Sequence, residues 1–67
     1  MGLRKGDKVS WRSHGQRVMG TVEEKITSRT SAAGRTVDAS EEEPQYRVRS
    51  DHTGQDAVHT EEALRRE

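Results

Sequence analysis

Few side chains here belong to the types that do covalent chemistry. The three histidines, His14, His52 and His59, lack the spacing to acids that a metal site needs. There is no cysteine, which removes thiolate nucleophiles, disulfides and zinc fingers. No serine sits in a nucleophile elbow, and no glycine-rich phosphate loop is present. Glu41-Glu42-Glu43 offers carboxylates for a hard cation or a basic partner. A calcium loop, however, spaces its oxygens at alternate positions around a glycine, so a solvated acidic turn is expected. His14 and His52 read as surface residues. No catalytic residue, no metal and no cofactor are expected.

Binding chemistry is better represented. The chain has two aromatic rings, Trp11 and Tyr46. A cage for a methylated cation takes roughly three or four rings, so these two do not close one; a half-cage needs at least one ring exposed. Both also fall at inward positions of alternating stretches, where a core would use them. Lys5, Lys8, Arg12, Arg17 and Lys25, with Arg47 and Arg49 on an outward strand face, are candidates for phosphate contact, and Trp11 is the one obvious stacking ring. Trp11, Tyr46, Lys8, Arg12, Arg17, Arg47 and Arg49 together form the candidate ligand face.

The charge distribution supports two readings. Formal net charge is zero although 36% of residues are charged. Residues 1–36 carry eight Lys/Arg against three acids; residues 37–67 carry nine acids against four Arg. One reading is a basic face for nucleic acid beside an acidic one. The other is that strands from the two parts interleave and opposite charges meet across them, with Arg47 and Arg49 pairing with Glu23 or Asp38. Zero net charge limits nucleic-acid binding to weak, salt-sensitive contacts. A protein or peptide partner could instead use a sheet edge, a shallow groove, or the acids Glu41 to Glu43.

The elements that must position these residues are short strands. Sixty-seven residues make one domain, 1–67, with an ordered core expected over about 5–64. Hydrophobic residues are 27% of the chain. The expected core is Val9, Trp11, Val18, Val22, Ile26, Val37, Tyr46, Val48, Val58 and Leu64. Residues 1–4 read as a loose end. Gly6-Asp7 makes a turn into a strand over 7–12, with Val9 and Trp11 on one side and Lys8, Ser10 and Arg12 on the other. Ser13-His14-Gly15-Gln16 is a loop, and a second strand runs over 18–26 with Val18, Gly20, Val22 and Ile26 on one face. Gly20 lets Trp11 or another strand approach closely, or marks a bend.

Thr27 to Gly34 reads either as a loop or as a strand entering a hairpin tip, and a short strand follows over 35–39. Pro44 forces a turn after Ser40. Gln45–Ser50 is the clearest strand, with Tyr46 and Val48 inward. Asp51-His52-Thr53-Gly54 is a turn in which Asp51 bonds the backbone ahead and Gly54 takes positive φ. A fifth strand covers 55–59. Thr60 to Leu64 reads as one helical turn capped by Thr60, with Arg65 and Arg66 at its negative end and Leu64 closing the open end of the fold.

Gly6-Asp7-Lys8-Val9-x-Trp11, Gly20-x-Val22, Ala39-Ser40-x-x-x-Pro44-x-Tyr46-x-Val48-x-Ser50-Asp51-x-Thr53-Gly54, Ala57-x-His59 and Ala63-Leu64 resemble the hypervirulence-associated protein Tudor domain family. The resemblance covers about Lys5 to Leu64, and its middle block is the specific part. It departs at Ser31-Ala32-Ala33. It implies an all-β fold: a small SH3-like (Tudor-like) barrel of about five bent antiparallel strands, with a short C-terminal helical turn. Gly6, Asp7, Gly20, Pro44, Asp51, Gly54 and His59 would be structural, His59 through a hydrogen bond to a neighbouring strand or loop. The family implies no catalytic residues and no settled activity. The expected function is that of a non-catalytic binding module for an unknown protein or peptide, with nucleic acid as the alternative. No apolar run reaches membrane-spanning length and no signal segment is read at the N-terminus, so a cytoplasmic location is expected.

Overall fold

In the computed structural model, which describes residues 2–67, seven strands and one 3-10 turn follow one another. The strands are β1 (Lys8–Ser13), β2 (Gln16–Ile26), β3 (Thr30–Ala32), β4 (Arg35–Val37), β5 (Gln45–Ser50), β6 (Asp56–Thr60) and β7 (Arg65–Arg66); the 3-10 turn is Glu61–Ala63. Five strands form one antiparallel sheet in the order β6-β5-β2-β1-β7, and β3 and β4 form a separate hairpin. Among the described residues no helix is long and apolar enough to cross a membrane.

The hairpins form where local chemistry allows a tight reversal. His14 and Gly15 both have positive φ (51° and 76°) between the paired Ser13 and Gln16. Ala33 and Gly34 repeat those values between Ala32 and Arg35. Two central residues at positive φ are the type I′ geometry, whose twist matches that of the flanking strands. At the β5–β6 turn the bonding side chain is Ser50, not Asp51: its Oγ accepts the amides of His52 and Thr53 at 3.3 Å each, and Gly54 donates to the Ser50 carbonyl at 2.8 Å. Before β5, Ser40 Oγ accepts the Glu43 amide at 3.1 Å, and Pro44 follows.

A β-bulge decides how the long second strand is used. Val22 pairs with Val48 but Glu24, two residues on, pairs with Arg47, so the register shifts at Glu23. One extra residue reverses the inward–outward phase beyond it. Val18, Gly20 and Val22 therefore keep the inner face, while Ile26 turns to the opposite one, against the expectation of a single shared face. Two apolar clusters result. Leu3, Val9, Trp11, Val22, Tyr46 and Val48 form the first, with Val18, Ala57 and Leu64 packed against it. Ile26, Val37, Ala39 and Val58 form the second, on the other side, with Ala32 against it. The consecutive residues Ala57 and Val58 belong to different clusters, as alternation along β6 requires.

Several expectations are corrected. The sheet does not close into a barrel: β6 and β7 are its two edges and do not pair with each other. The bulge supplies the reason. It turns Ile26 to the outer face beside Val58, which the regular alternation of β6 already sets there, and the β3–β4 segment covers both through Val37 and Ala39, so that apolar surface is buried by a hairpin laid on the sheet and not by curling the sheet upon itself. Leu3 is buried, so the start of the chain is not loose throughout. Thr60 makes no side-chain cap bond to the 3-10 turn. Arg65 and Arg66 form β7, pairing with Ser10 and Val9, and do not sit at a helix end. Leu64 is half-buried against the first cluster, there being no barrel mouth to fill.

Candidate functional site

The two rings and the five basic residues of the candidate face lie on opposite sides of the sheet. Trp11 is 6% exposed and Tyr46 0%; both belong to the inner cluster. Opposed residues of an antiparallel ladder share a face. The register therefore aligns Lys8, Thr21, Arg49 and Asp56 across β1, β2, β5 and β6 on the outer side. Ser10, Arg12, Arg17, Met19, Glu23 and Arg47 lie on that same side.

The inner face is organised around Trp11. A Cβ on Gly20 would collide with the six-membered ring of Trp11 and with the Arg49 carbonyl, so only glycine fits there. The His59 ring lies 5.4 Å from that of Trp11, tilted 40°. Half-burial holds its pKa below the ordinary histidine value, with a smaller contribution from the Arg35 charge. No side-chain hydrogen bond of His59 is found among the described residues; its contact is the indole. Tyr46 points its hydroxyl at Glu61 Oε1 (3.4 Å), and burial pushes its pKa up.

On the outer face almost every basic side chain has an acidic neighbour. Arg47 and Arg49 share Asp56, with Arg47 Nη2 at 2.6 Å and Arg49 Nε at 3.2 Å, and both also face Glu23 at 3.7 and 3.3 Å. Asp38 takes no part; its backbone carbonyl accepts from Gln45. The Arg47 guanidinium holds the Asp56 carboxyl below its usual range. Lys8 pairs with Asp51, which also accepts from Thr21 Oγ1 at 3.2 Å; the Lys8 hydrogen bond lowers the Asp51 pKa. Arg17 pairs with Glu67, and Arg66 lies 3.6 Å from Asp7. Arg12 makes no ion pair among the described residues.

Gly6 and Asp7 tie the opening turn to its neighbours. Gly6 donates to the Val22 carbonyl (2.7 Å), and the Asp7 carbonyl accepts from the Val22 amide (2.9 Å), fastening the opening turn to β2. Asp7 Oδ2 accepts from the Arg4 amide at 2.9 Å. Sequence reasoning missed Ser10, Asp56 and Glu67 as members of the outer-face network. Only the alternation that turns Ser10 outward was visible; Glu67 comes from a distant part of the chain, and Asp56 depends on the register of the β5–β6 hairpin.

Network residues line a depression beside Trp11, formed by Ser10, Trp11, Arg12, Arg17, Glu62, Ala63, Leu64 and Arg65. Arg17 and Asp51 also border one formed with Gln16, Val18, Met19, Ser50, His52 and Thr53. A further depression, apart from the network at the start of β5, is lined by Asp38, Glu42, Glu43, Pro44, Gln45, Thr60, Glu61 and Glu62. No group of three or more His, Asp or Glu among the described residues is placed to hold a metal.

Comparison with protein families matches the family described as "Hypervirulence associated proteins TUDOR domain" over residues 6–64. The chain belongs to this family. Comparison with curated proteins and with solved structures gave no match. As a hypervirulence-associated Tudor domain the chain is a small non-catalytic module. In this member the two aromatic side chains are core residues.

Proposed function

We propose that this hypervirulence-associated Tudor domain is a protein–peptide interaction module that takes an extended segment along the outer edge of β1. The observation that carries this reading is the incomplete pairing of that edge. β1 runs for six residues, yet β7 pairs only with Val9 and Ser10. From Trp11 to Ser13 the strand has no ladder partner on that side among the described residues, and the depression lined by Trp11, Arg12 and Leu64 lies beside it. An unpaired strand edge presents main-chain donors and acceptors that an added strand satisfies, and adjoining pockets select its alternate side chains.

Nucleic-acid binding is the competing reading. It has one observation in its favour: Lys8, Arg12, Arg17, Arg47 and Arg49 share a face. Four of the five, however, already hold carboxylates, so a phosphate backbone would have to displace Asp51, Asp56, Glu23 and Glu67.

Parallel titrations of the 15N-labelled chain test the choice, one with a pool of extended octapeptides and one with mixed oligonucleotides at low salt. Peptide-induced amide shifts centred on Trp11–Ser13 and Leu64 and reaching the adjoining β7 pairs are expected. Shifts on Lys8, Arg12, Arg17, Arg47 and Arg49 that appear only with oligonucleotide and vanish with salt would replace this reading with the nucleic-acid one.

A further inference from the structure

The segment after the 3-10 turn lies where a peptide strand would. Arg65 and Arg66 extend the β1 ladder, and the Glu67 amide continues it by donating to the Lys8 carbonyl at 3.0 Å. Glu67 then turns its side chain across the strand, diagonally opposite Ser10. Ser10 is 2% exposed, and its hydroxyl donates to Glu67 Oε2 at 2.5 Å. Arg17, from β2, closes on the same oxygen. A buried hydroxyl and a guanidinium converging on one carboxylate oxygen are a recognition site for an anionic side chain, built into the edge on which the peptide reading rests.

The rest of the segment is held lightly. β7 is two residues long and both are exposed. Apart from Glu67, its side chains make one long contact, Arg66 to Asp7 at 3.6 Å. The surroundings favour an acid: Arg12, Arg17 and Arg65 all line the adjoining depression, against the single acid Glu62. The Ser10 hydrogen bond and then the Arg17 guanidinium hold the Glu67 carboxyl below its ordinary pKa, in keeping with a site that prefers the charged form.

From this arrangement we infer that the Ser10–Arg17 pair is a specificity site for an acidic side chain of an extended peptide partner, and that Glu67 occupies it intramolecularly until such a partner displaces it. The inference rests on the peptide reading of the β1 edge and adds the chemistry of the partner. It also makes this chain its own competitor: binding in trans must first release the Glu67 strand, so wild-type affinity is reduced by the fraction of time the site stands open.

The test uses the full chain as wild type, Glu67→Ala and Glu67→Gln, with Arg17→Ala combined with Glu67→Ala as the control for the site. The probes are the octapeptide Thr-Glu-Glu-Ala-Leu-Arg-Arg-Glu, which matches residues 60–67, and its counterpart ending in Gln, followed by amide shifts. Glu67→Ala is expected to bind the Glu-ended peptide on the order of ten times more tightly than wild type, the Gln-ended peptide more weakly, and neither once Arg17 is removed. Glu67→Gln, which keeps most of the shape of the side chain, provides the same comparison should Glu67→Ala not retain a dispersed spectrum. Equal binding of the two peptides to the Glu67 variants overturns the acidic specificity and leaves the peptide reading standing. Binding of neither peptide, with no octapeptide of the pool shifting Trp11–Ser13, removes both. Equal affinity of wild type and variants for the Glu-ended peptide shows that Glu67 is not a competitor and overturns the intramolecular part.

Discussion

Gly20 carries more of the inner packing than any polar residue does. Val9 lies opposite it and Trp11 lies diagonally across it, so the indole occupies the space a side chain would need. The other obstruction is the Arg49 carbonyl of the neighbouring strand, which is backbone and cannot swing aside. Gly20→Ala is therefore expected to destabilise by about 1–3 kcal/mol, the usual range for overpacking a tight core, or more if β5 must move. Urea denaturation with unchanged slope would report it. If the cost is near zero, the Trp11 ring is not held where the structure places it. The opening Gly-Asp-x-Val-x-Trp and the later Gly-x-Val were legible in the sequence, and so was the close approach at Gly20. The sequence alone does not choose between the indole, another strand and a bend as the reason for that glycine; the structure shows the indole and the Arg49 carbonyl. A glycine announces space, and only the register says which atoms use it.

At the scale of elements, the bulge at Glu23 controls which half of the sheet the β3–β4 hairpin can cover. Ile26 reaches the second cluster only because of that extra residue. Ile26→Val should cost about 0.5–1.5 kcal/mol, as trimming one buried methyl usually does. Its signature is regional: amides of Thr30–Ala32 and Arg35–Val37 should lose hydrogen-exchange protection before those of β1 and β5, because the hairpin's apolar side chains, Val37 and Ala32, pack in this cluster. Uniform loss across all strands would mean that the two clusters unfold as one. The hairpin could be read in advance only as one of two alternatives, because Thr27 to Gly34 has no alternation to follow. Its residues are small and polar, and its strand character comes from packing Val37 and Ala39 onto the sheet.

For the molecule as a whole, balanced charge becomes a pH dependence. His59 is held below its ordinary pKa by burial against Trp11, so the unfolded chain binds a proton there before the folded chain does. Stability is expected to fall as pH drops through about 6.5, the ordinary histidine value, and His59→Gln should flatten that part of the profile. A second loss belongs to the carboxylates. Asp51, Asp56 and Glu67 are all held below their ordinary values, so their contribution is present above the unfolded carboxylate range and disappears as pH falls through the folded values. Thermal melts of wild type and His59→Gln from pH 8 to pH 3 separate the two. A wild-type profile flat between pH 7 and pH 5 would contradict the histidine assignment. Salt should weaken the outer-face pairs modestly, since most are partly exposed.

Local rules written in the sequence determined a good deal. Period-two alternation marks Gln45–Ser50 as a strand with the bounds it has. Glycine at loop positions marks the reversals, the scarcity of rings makes a closed aromatic cage unattainable, and the motif blocks identify the family. Each of these is settled within a few residues, by side-chain direction, φ or composition. The tertiary structure decided what depends on distant strands meeting. It set the phase reversal at Glu23, since a bulge exists only relative to a partner strand. It left the sheet open, since closure depends on where apolar surface is left over once the strands have paired. It chose Asp56 as the partner of Arg47 and Arg49 through the β5–β6 register, and Glu67 as that of Arg17, since residues 17 and 67 become neighbours only when β7 reaches β1. Charge balance along the chain was visible from the start; which charges cancel was decided by the register.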